Sequence, residues 1–90
     1  MARSDWDEAE TVLRALVADT LGLDPERVAA FTGSTELFGA LPEFDSMAVA
    51  TLLTGMEERL AVLIEDDDVE AEDFATFGTL LAFVRRKVLV

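Results

Sequence analysis

The chain has 90 residues, of which half are apolar, and 19 acidic against 7 basic residues give a net charge of −12. This acidity argues against binding to nucleic acid or to anionic membrane surfaces, which attract clustered Lys and Arg, and suits either general solubility or partners with positive patches. The chain contains neither cysteine nor histidine, which excludes disulfides, the usual zinc sites and Ser-His or Cys-His nucleophilic pairs.

The first predicted helix runs from about residue 5 to 20. Gly22 is a plausible stop signal for it. Four apolar residues fall at helical spacing and should form its buried face: Ala9, Leu13, Leu16 and Val17.

Residues 22–44 form a long connection that contains glycines and prolines. Asp24 and Pro25 suit the cap and first position of a short helical turn through Ala30. A loop of this length is often functional. Its apolar residues should pack on the helices: Phe31, Leu37, Phe38, Leu41 and Phe44.

The second strong helix begins at Asp45 and Ser46. Gly55 costs this helix about 1 kcal/mol relative to alanine, which suggests that another element packs closely there. The stripe predicted to face the core consists of Val49, Leu53, Met56 and Leu60. The stripe predicted to face solvent consists of Met47, Thr51, Thr54 and Glu58.

An acidic run occupies residues 65–73. An EF-hand loop starting at Asp66 would need Gly and Glu where the chain has Ala71 and Phe77, so a solvated helix N-terminus is the better interpretation. The amphipathic helix that follows is defined by Phe74, Phe77, Leu81, Val84 and Val88. Its basic trio, Arg85, Arg86 and Lys87, fits the negative end of the helix dipole better than an anion site.

These elements predict one all-α domain over residues 1–90, a small helical bundle of three main helices plus one or two short helices and a long first loop. The N-terminus lacks the apolar run of a signal peptide, and no apolar stretch approaches the roughly 20 residues of a membrane span. We therefore expect a cytoplasmic protein.

Ser46 opens a helix after a long loop, and an isolated Asp-Ser pair there would be an ordinary helix cap. However, Phe44-Asp45-Ser46-Met47, with the helix ending at Met56-Glu57-Glu58-Arg59-Leu60, resembles the acyl carrier protein family. Further likeness lies in Thr35-Glu36-Leu37-Phe38 before the motif and in residues 74–81, which resemble the family's last helix. Leu41 to Met47 is similar to carriers associated with exosortase and exopolysaccharide gene clusters.

The resemblance implies that Ser46, next to the motif acid Asp45, receives 4′-phosphopantetheine. A phosphopantetheinyl transferase would supply the base, the metal and the coenzyme A, because no histidine is present to activate Ser46 and the chain binds no metal of its own. The protein would then be a monomeric carrier rather than an enzyme. It would present acyl groups to acyl-loading and acyl-transfer enzymes with basic docking patches.

Docking is expected at Met47, Thr51, Glu57 and Glu58. Met47 is an apolar residue on the solvent stripe, where adaptable contacts with partners suit methionine. The chain departs from the family at Phe44, Ala48 and Thr51, where many members have Gly and two acids, so we expect a more apolar docking surface. An acyl chain could be sheltered by an apolar interior, although each of its residues is as readily explained as core: Val49, Leu53, Met56, Leu60, Ile64 and Phe77.

Two other functions stay open at this point. The same scaffold could carry an aminoacyl, peptidyl or polyketide intermediate. Alternatively, the chain could be an unmodified acidic helical adaptor in which Ser46 belongs only to a cap.

Overall fold

The computed structural model describes the backbone of residues 2–89 and the side chains of residues 8–88 except Asp66. Its helices are α1 (Ala2–Leu21), α2 (Pro25–Ala29), α3 (Ser46–Leu60) and α4 (Phe77–Leu89), with the short 3-10 helices η1 (Asp66–Asp68) and η2 (Ala71–Phe74) before α4. Between residues 2 and 89 the only β-type pairing is one isolated bridge, Glu36 with Thr76. The predicted all-α fold is therefore confirmed.

Helix α1 is the central helix, because α2, α3 and α4 all pack against it. Its predicted buried face is confirmed, since Ala9, Leu13, Leu16 and Val17 are each at most 3% exposed. The helix begins earlier than predicted, at Ala2, and ends before Gly22, whose φ of +68° lies in the left-handed region that favours glycine. No helix between residues 2 and 89 has both the length and the apolar character needed to span a membrane.

The core-facing side of α3 differs from the prediction. Met56 is buried as expected, but the other fully buried residue is Leu52, which the predicted stripe omitted. Val49, Leu53 and Leu60 are only half-buried and pack against the edge of the core. These three contact the core as predicted but are not fully buried, because the predicted stripe is rotated to one side of the buried residues Leu52 and Met56.

Gly55 lets α3 pack closely on α1, as the sequence suggested. A Cβ atom at this position would lie 2.5 Å from Leu16 Cδ1 of α1. The opposite side of α3 is exposed at all four predicted positions: Met47, Thr51, Thr54 and Glu58.

The long connection is largely packed down, with one exception. Asp24 caps α2 as predicted, accepting a hydrogen bond from the Glu26 amide at 2.9 Å. Phe31, Leu37 and Phe44 are buried, and Leu41 is half-buried. Phe38 is 49% exposed, so the expectation that it packs down is wrong. Its ring lies edge-on against Phe44, with a centroid distance of 6.1 Å.

A row of backbone hydrogen bonds fixes this connection to the start of α4. The amides of Leu37 and Phe38 donate to the carbonyls of Ala75 and Phe74 at 2.9 and 3.1 Å. In return, Phe77 and Gly78 donate to Thr35 and Gly33 at 2.8 and 2.9 Å. The position of Phe38 relative to Phe74 is therefore set by the backbone.

Gly78→Ala should destabilise the protein by about 1–3 kcal/mol, because the added methyl group has no space. Its Cβ would lie 2.5 Å from the Gly33 carbonyl oxygen, a backbone atom that cannot rotate away. Gly33→Ala is the matched control, since its Cβ would meet only Gly78 Cα at 3.9 Å. Urea unfolding of both variants measures the difference, and equal stability of the two would contradict the close approach.

Helix α4 begins at Phe77, so the prediction that it includes Phe74 was wrong. Thr76 and Thr79 hydrogen-bond each other's amides at 3.1 Å, a reciprocal arrangement that starts the helix at this point. Phe74 instead ends η2, although it is buried as an amphipathic helix residue would be.

The acidic run is likewise not the solvated N-terminus of one helix. It folds as two 3-10 turns, each closed by a carboxylate three residues along. Asp68 accepts from the Glu65 amide at 2.9 Å, and Asp73 accepts from the Glu70 amide at 2.8 Å. Glu65 with Asp68 and Glu70 with Asp73 therefore have a structural role, because each pair closes one of the two turns.

The basic trio of α4 pairs with acids rather than only complementing the helix dipole. Arg85 lies 3.5 Å from Glu10 of α1, and Arg86 lies 3.5 Å from Asp73. Lys87 contacts Asp68 at 2.9 Å. These pairs connect the end of α4 to α1 and to both short helices.

Candidate functional site

Ser46 is the first residue of α3, and its side chain is exposed. The cap of the helix is Asp45, whose Oδ1 accepts from the Ala48 amide at 2.9 Å while its carbonyl accepts from Val49 at 3.0 Å. The helix itself provides no partner for the amides of Ser46 and Met47. Ser46 thus presents a hydroxyl group beside free N–H groups at the positive end of the helix dipole.

This arrangement suits a phosphorylated or phosphodiester-linked serine. A negative group on the Ser46 oxygen would lie near the first-turn amides, which stabilise anions at helix N-termini. The carboxylate of Asp45 is used for capping, and the chain has no histidine to act as a base toward Ser46. The serine is therefore built to accept a group from another enzyme rather than to act as a nucleophile on its own.

An apolar pocket of about 280 Å³ opens beside Ser46. One side is formed by α3, through Val49 and Leu53, and another by residues 69–71, which lead from η1 into η2. Phe38 also lines the pocket. The full lining is Phe38, Ser46, Val49, Leu53, Val69, Glu70, Ala71 and Phe74.

The sequence identified two of these lining residues, Val49 and Leu53, as part of an apolar chamber. Met56 and Phe77, which were included in the same prediction, are core residues at 1% exposure each, and Leu60 and Ile64 lie at the edge of the core. The lining formed by residues 69–71 was missed. Val69 was its available signal, because it is the one large apolar residue among the surrounding acids.

Of the four predicted docking residues, three are exposed and one is half-buried. Met47 is 79% exposed, the most exposed large apolar side chain of the described residues, and Thr51 and Glu58 are also exposed. Glu57 is half-buried, and its Oε2 accepts from the Ile64 amide at 2.9 Å. Glu57 therefore holds the turn that follows α3, in which Ala61 has a φ of 55°.

Comparison with known proteins gives a consistent result. The family model described as a phosphopantetheine attachment site matches residues 11–85. An acyl carrier protein of Thermosynechococcus vestitus is 36% identical over 84% of this chain and 86% of its own length. An acyl carrier protein of Chlamydia trachomatis serovar D is 30% identical over 87% of this chain and 94% of its own length.

The fold agrees with these sequence relatives. The solution NMR structure of a holo acyl carrier protein from Nitrosomonas europaea superposes with a TM-score of 0.79 at 38% identity. The match covers 91% of this chain and 96% of that one. The unmodified-adaptor alternative is therefore not supported. The chain belongs to the acyl carrier protein family, a family of carriers rather than catalysts, and its prosthetic group is 4′-phosphopantetheine.

Proposed function

We propose that Ser46 is the attachment point of 4′-phosphopantetheine and that the chain presents acyl groups to partner enzymes from this position. The observation that carries the proposal is the exposed hydroxyl of Ser46 at the N-terminus of α3, directly beside an apolar pocket. When bound, the prosthetic group supplies a thiol that holds acyl groups as thioesters, in a chain that has no cysteine.

The lining of the pocket favours a hydrocarbon acyl chain over an aminoacyl or peptidyl group. Apart from Ser46 itself, Glu70 is its one polar lining residue. The Glu70 carboxylate is already used in the capping box of η2. An aminoacyl group would leave its ammonium and amide groups without partners against Val49, Leu53 and Phe74, which costs free energy.

The pathway is part of the same proposal. We place the carrier in the cytoplasm, in lipid or in exopolysaccharide and envelope biosynthesis. The envelope alternative is supported by the similarity of residues 41–47 to exosortase-associated carriers. The charge of −12 supports partner enzymes with basic patches, including the phosphopantetheinyl transferase.

The exposed side of α3 supports a docking surface that is apolar near Ser46 and acidic further along. Its first turns present Met47, Thr51 and Thr54, all without charge, and Glu58 follows near the C-terminal end. A partner that fits this surface would place apolar side chains around Met47 and a cation near Glu58.

Met47→Asp should slow modification and acyl loading by roughly tenfold, because a charge would replace the central apolar contact. Thermal stability should be unchanged, since Met47 makes little contact with the core at 79% exposure. Leu63→Asp is the matched control, as Leu63 is an equally apolar residue, 69% exposed, beyond the far end of α3. Equal slowing in both variants, or a loss of stability with Met47→Asp, would contradict the docking surface.

The function itself is tested by intact mass after incubation with coenzyme A and a broad-specificity phosphopantetheinyl transferase. The expected product carries one phosphopantetheine. It should then be loaded with acyl and malonyl donors in preference to aminoacyl donors. Absence of any adduct would contradict the carrier role, and preferential aminoacyl loading would favour the alternative cargo.

A further inference from the structure

Residues 69–71, here called the pocket wall, form the side of the Ser46 pocket that faces α3. The wall consists of Val69 and Glu70, which lie between η1 and η2, and of Ala71, the first residue of η2. Within residues 8–88 no hydrogen bond joins the pocket wall to α3, and η2 packs on α4. Val69 packs partly against the core, and the polar contacts that hold the wall lie at its two ends.

Both ends of the wall are fixed by an aspartate that makes two kinds of contact. Asp68 Oδ2 accepts from the Glu65 amide at 2.9 Å and also from Lys87 Nζ at 2.9 Å. Asp73 Oδ2 accepts from the Glu70 amide at 2.8 Å, while its Oδ1 lies 3.5 Å from Arg86. Neighbouring cations of α4 thus bind the carboxylates that close η1 and η2.

The two ion pairs differ in exposure. The Asp73 side chain is 14% exposed and that of Arg86 is 58% exposed, while Lys87 and Asp68 are 25% and 35% exposed. The guanidinium of Arg86 also lies over the Phe83 ring, 5.6 Å from its centroid, a contact that favours this position. The Glu65 N–H and the Lys87 ammonium lower the pKa of Asp68, so this carboxylate stays ionised at neutral pH.

We propose that Arg86 and Lys87 are electrostatic anchors that keep the pocket wall closed over the Ser46 pocket, and that neutralising these contacts opens it. This inference rests on the proposed function, because opening the wall matters only if an acyl chain occupies the pocket and would then be exposed. A partner whose cations compete for Asp68 and Asp73 would open the wall as it docks. High ionic strength would do the same.

The test compares two double variants. Arg86→Gln/Lys87→Gln removes the two anchors, and Arg27→Gln/Arg59→Gln is the control, because it also removes two positive charges. The second removes contacts elsewhere, Arg27 with Glu43 at 3.7 Å and Arg59 with Asp19 at 2.9 Å. Hydrogen exchange is measured on the unmodified protein at the amides of Glu65, Asp68, Glu70 and Asp73, all of which are hydrogen-bonded.

In the Arg86→Gln/Lys87→Gln variant these amides should exchange about three- to tenfold faster, while core amides of α1 keep the wild-type rate. Salt that reduces the Debye length to about 3 Å should give wild type the same increase and the variant none. Unchanged exchange, or an equal increase in the control variant, would overturn the proposal. Faster exchange throughout α1 would also overturn it, since the anchors would then support the whole fold. Because the unmodified protein is used, failure here is distinguishable from failure of Ser46 to accept its group.

Discussion

Replacing Ser46 with alanine should abolish phosphopantetheinylation completely, while the free energy of unfolding stays within about 0.5 kcal/mol of the wild-type value. The hydroxyl is exposed, and the amide hydrogen bond that starts α3 is made by Asp45, not by Ser46. The variant therefore removes the acceptor oxygen without removing a structural contact. Intact mass spectrometry after incubation with coenzyme A and transferase measures the adduct, and urea unfolding measures the stability.

Two variants act as controls for this result. Asp45→Ala should retain an acceptor but lose about 1 kcal/mol of stability, because the Ala48 amide loses its cap. Ser34→Ala, in an exposed part of the long connection, should be modified like wild type. An undiminished adduct on Ser46→Ala would show that another hydroxyl is the acceptor.

Leu52→Ala should lower the free energy of unfolding by about 2–5 kcal/mol, a large share of the total for a domain of this size. Leu52 is 0% exposed and lies on the side of α3 that faces the core. Truncating it leaves a cavity that its neighbours can fill only in part. The change is measured by urea unfolding followed by far-UV circular dichroism.

Leu53→Ala is the matched control, since it makes the same chemical change one residue further along the same helix. Leu53 is half-buried and lines the Ser46 pocket, so its loss should cost clearly less stability. Equal losses for the two variants, or a larger loss for Leu53→Ala, would mean that the stripe predicted from the sequence describes the core better than the structure does.

The comparison of Leu52 with Leu53 shows what helical spacing alone could establish. The spacing correctly placed α3 and its exposed side, because Met47, Thr51 and Thr54 carry the outward positions. Spacing could not distinguish the core residue Leu52 from the pocket-lining residue Leu53. Because both are leucines and adjacent, an apolar stripe can be drawn along the helix through either of them.

The start of α4 was predicted too early for a related reason. Phe74 continues the 3 and 4 spacing of the helix and is buried, but it belongs to a 3-10 turn. The reciprocal hydrogen bonds of Thr76 and Thr79 interrupt the helix between Phe74 and Phe77. The Thr-x-x-Thr pattern at residues 76–79 was the local signal for the helix start, but the apolar periodicity continued past it to Phe74 and favoured the earlier start.

Within the candidate site, the sequence supplied Ser46 and Asp45 and their place at the start of a helix. It did not supply the pocket wall, whose flanking residues Asp68 and Asp73 contact the cations of α4. Contacts between residues so far apart in the chain depend on tertiary packing, which local patterns do not encode. Helical spacing also did not indicate that the Glu57 side chain accepts a hydrogen bond from the Ile64 amide, and its part in docking stays a prediction.

The most direct test of the role of Ser46 is to locate the phosphopantetheine on the wild-type protein by fragmentation mass spectrometry after enzymatic modification. We expect a single adduct, on the fragment that contains Ser46, with the neutral loss characteristic of a phosphodiester on serine. An adduct on any other hydroxyl, or its absence from the Ser46 fragment in a fully modified sample, would contradict it.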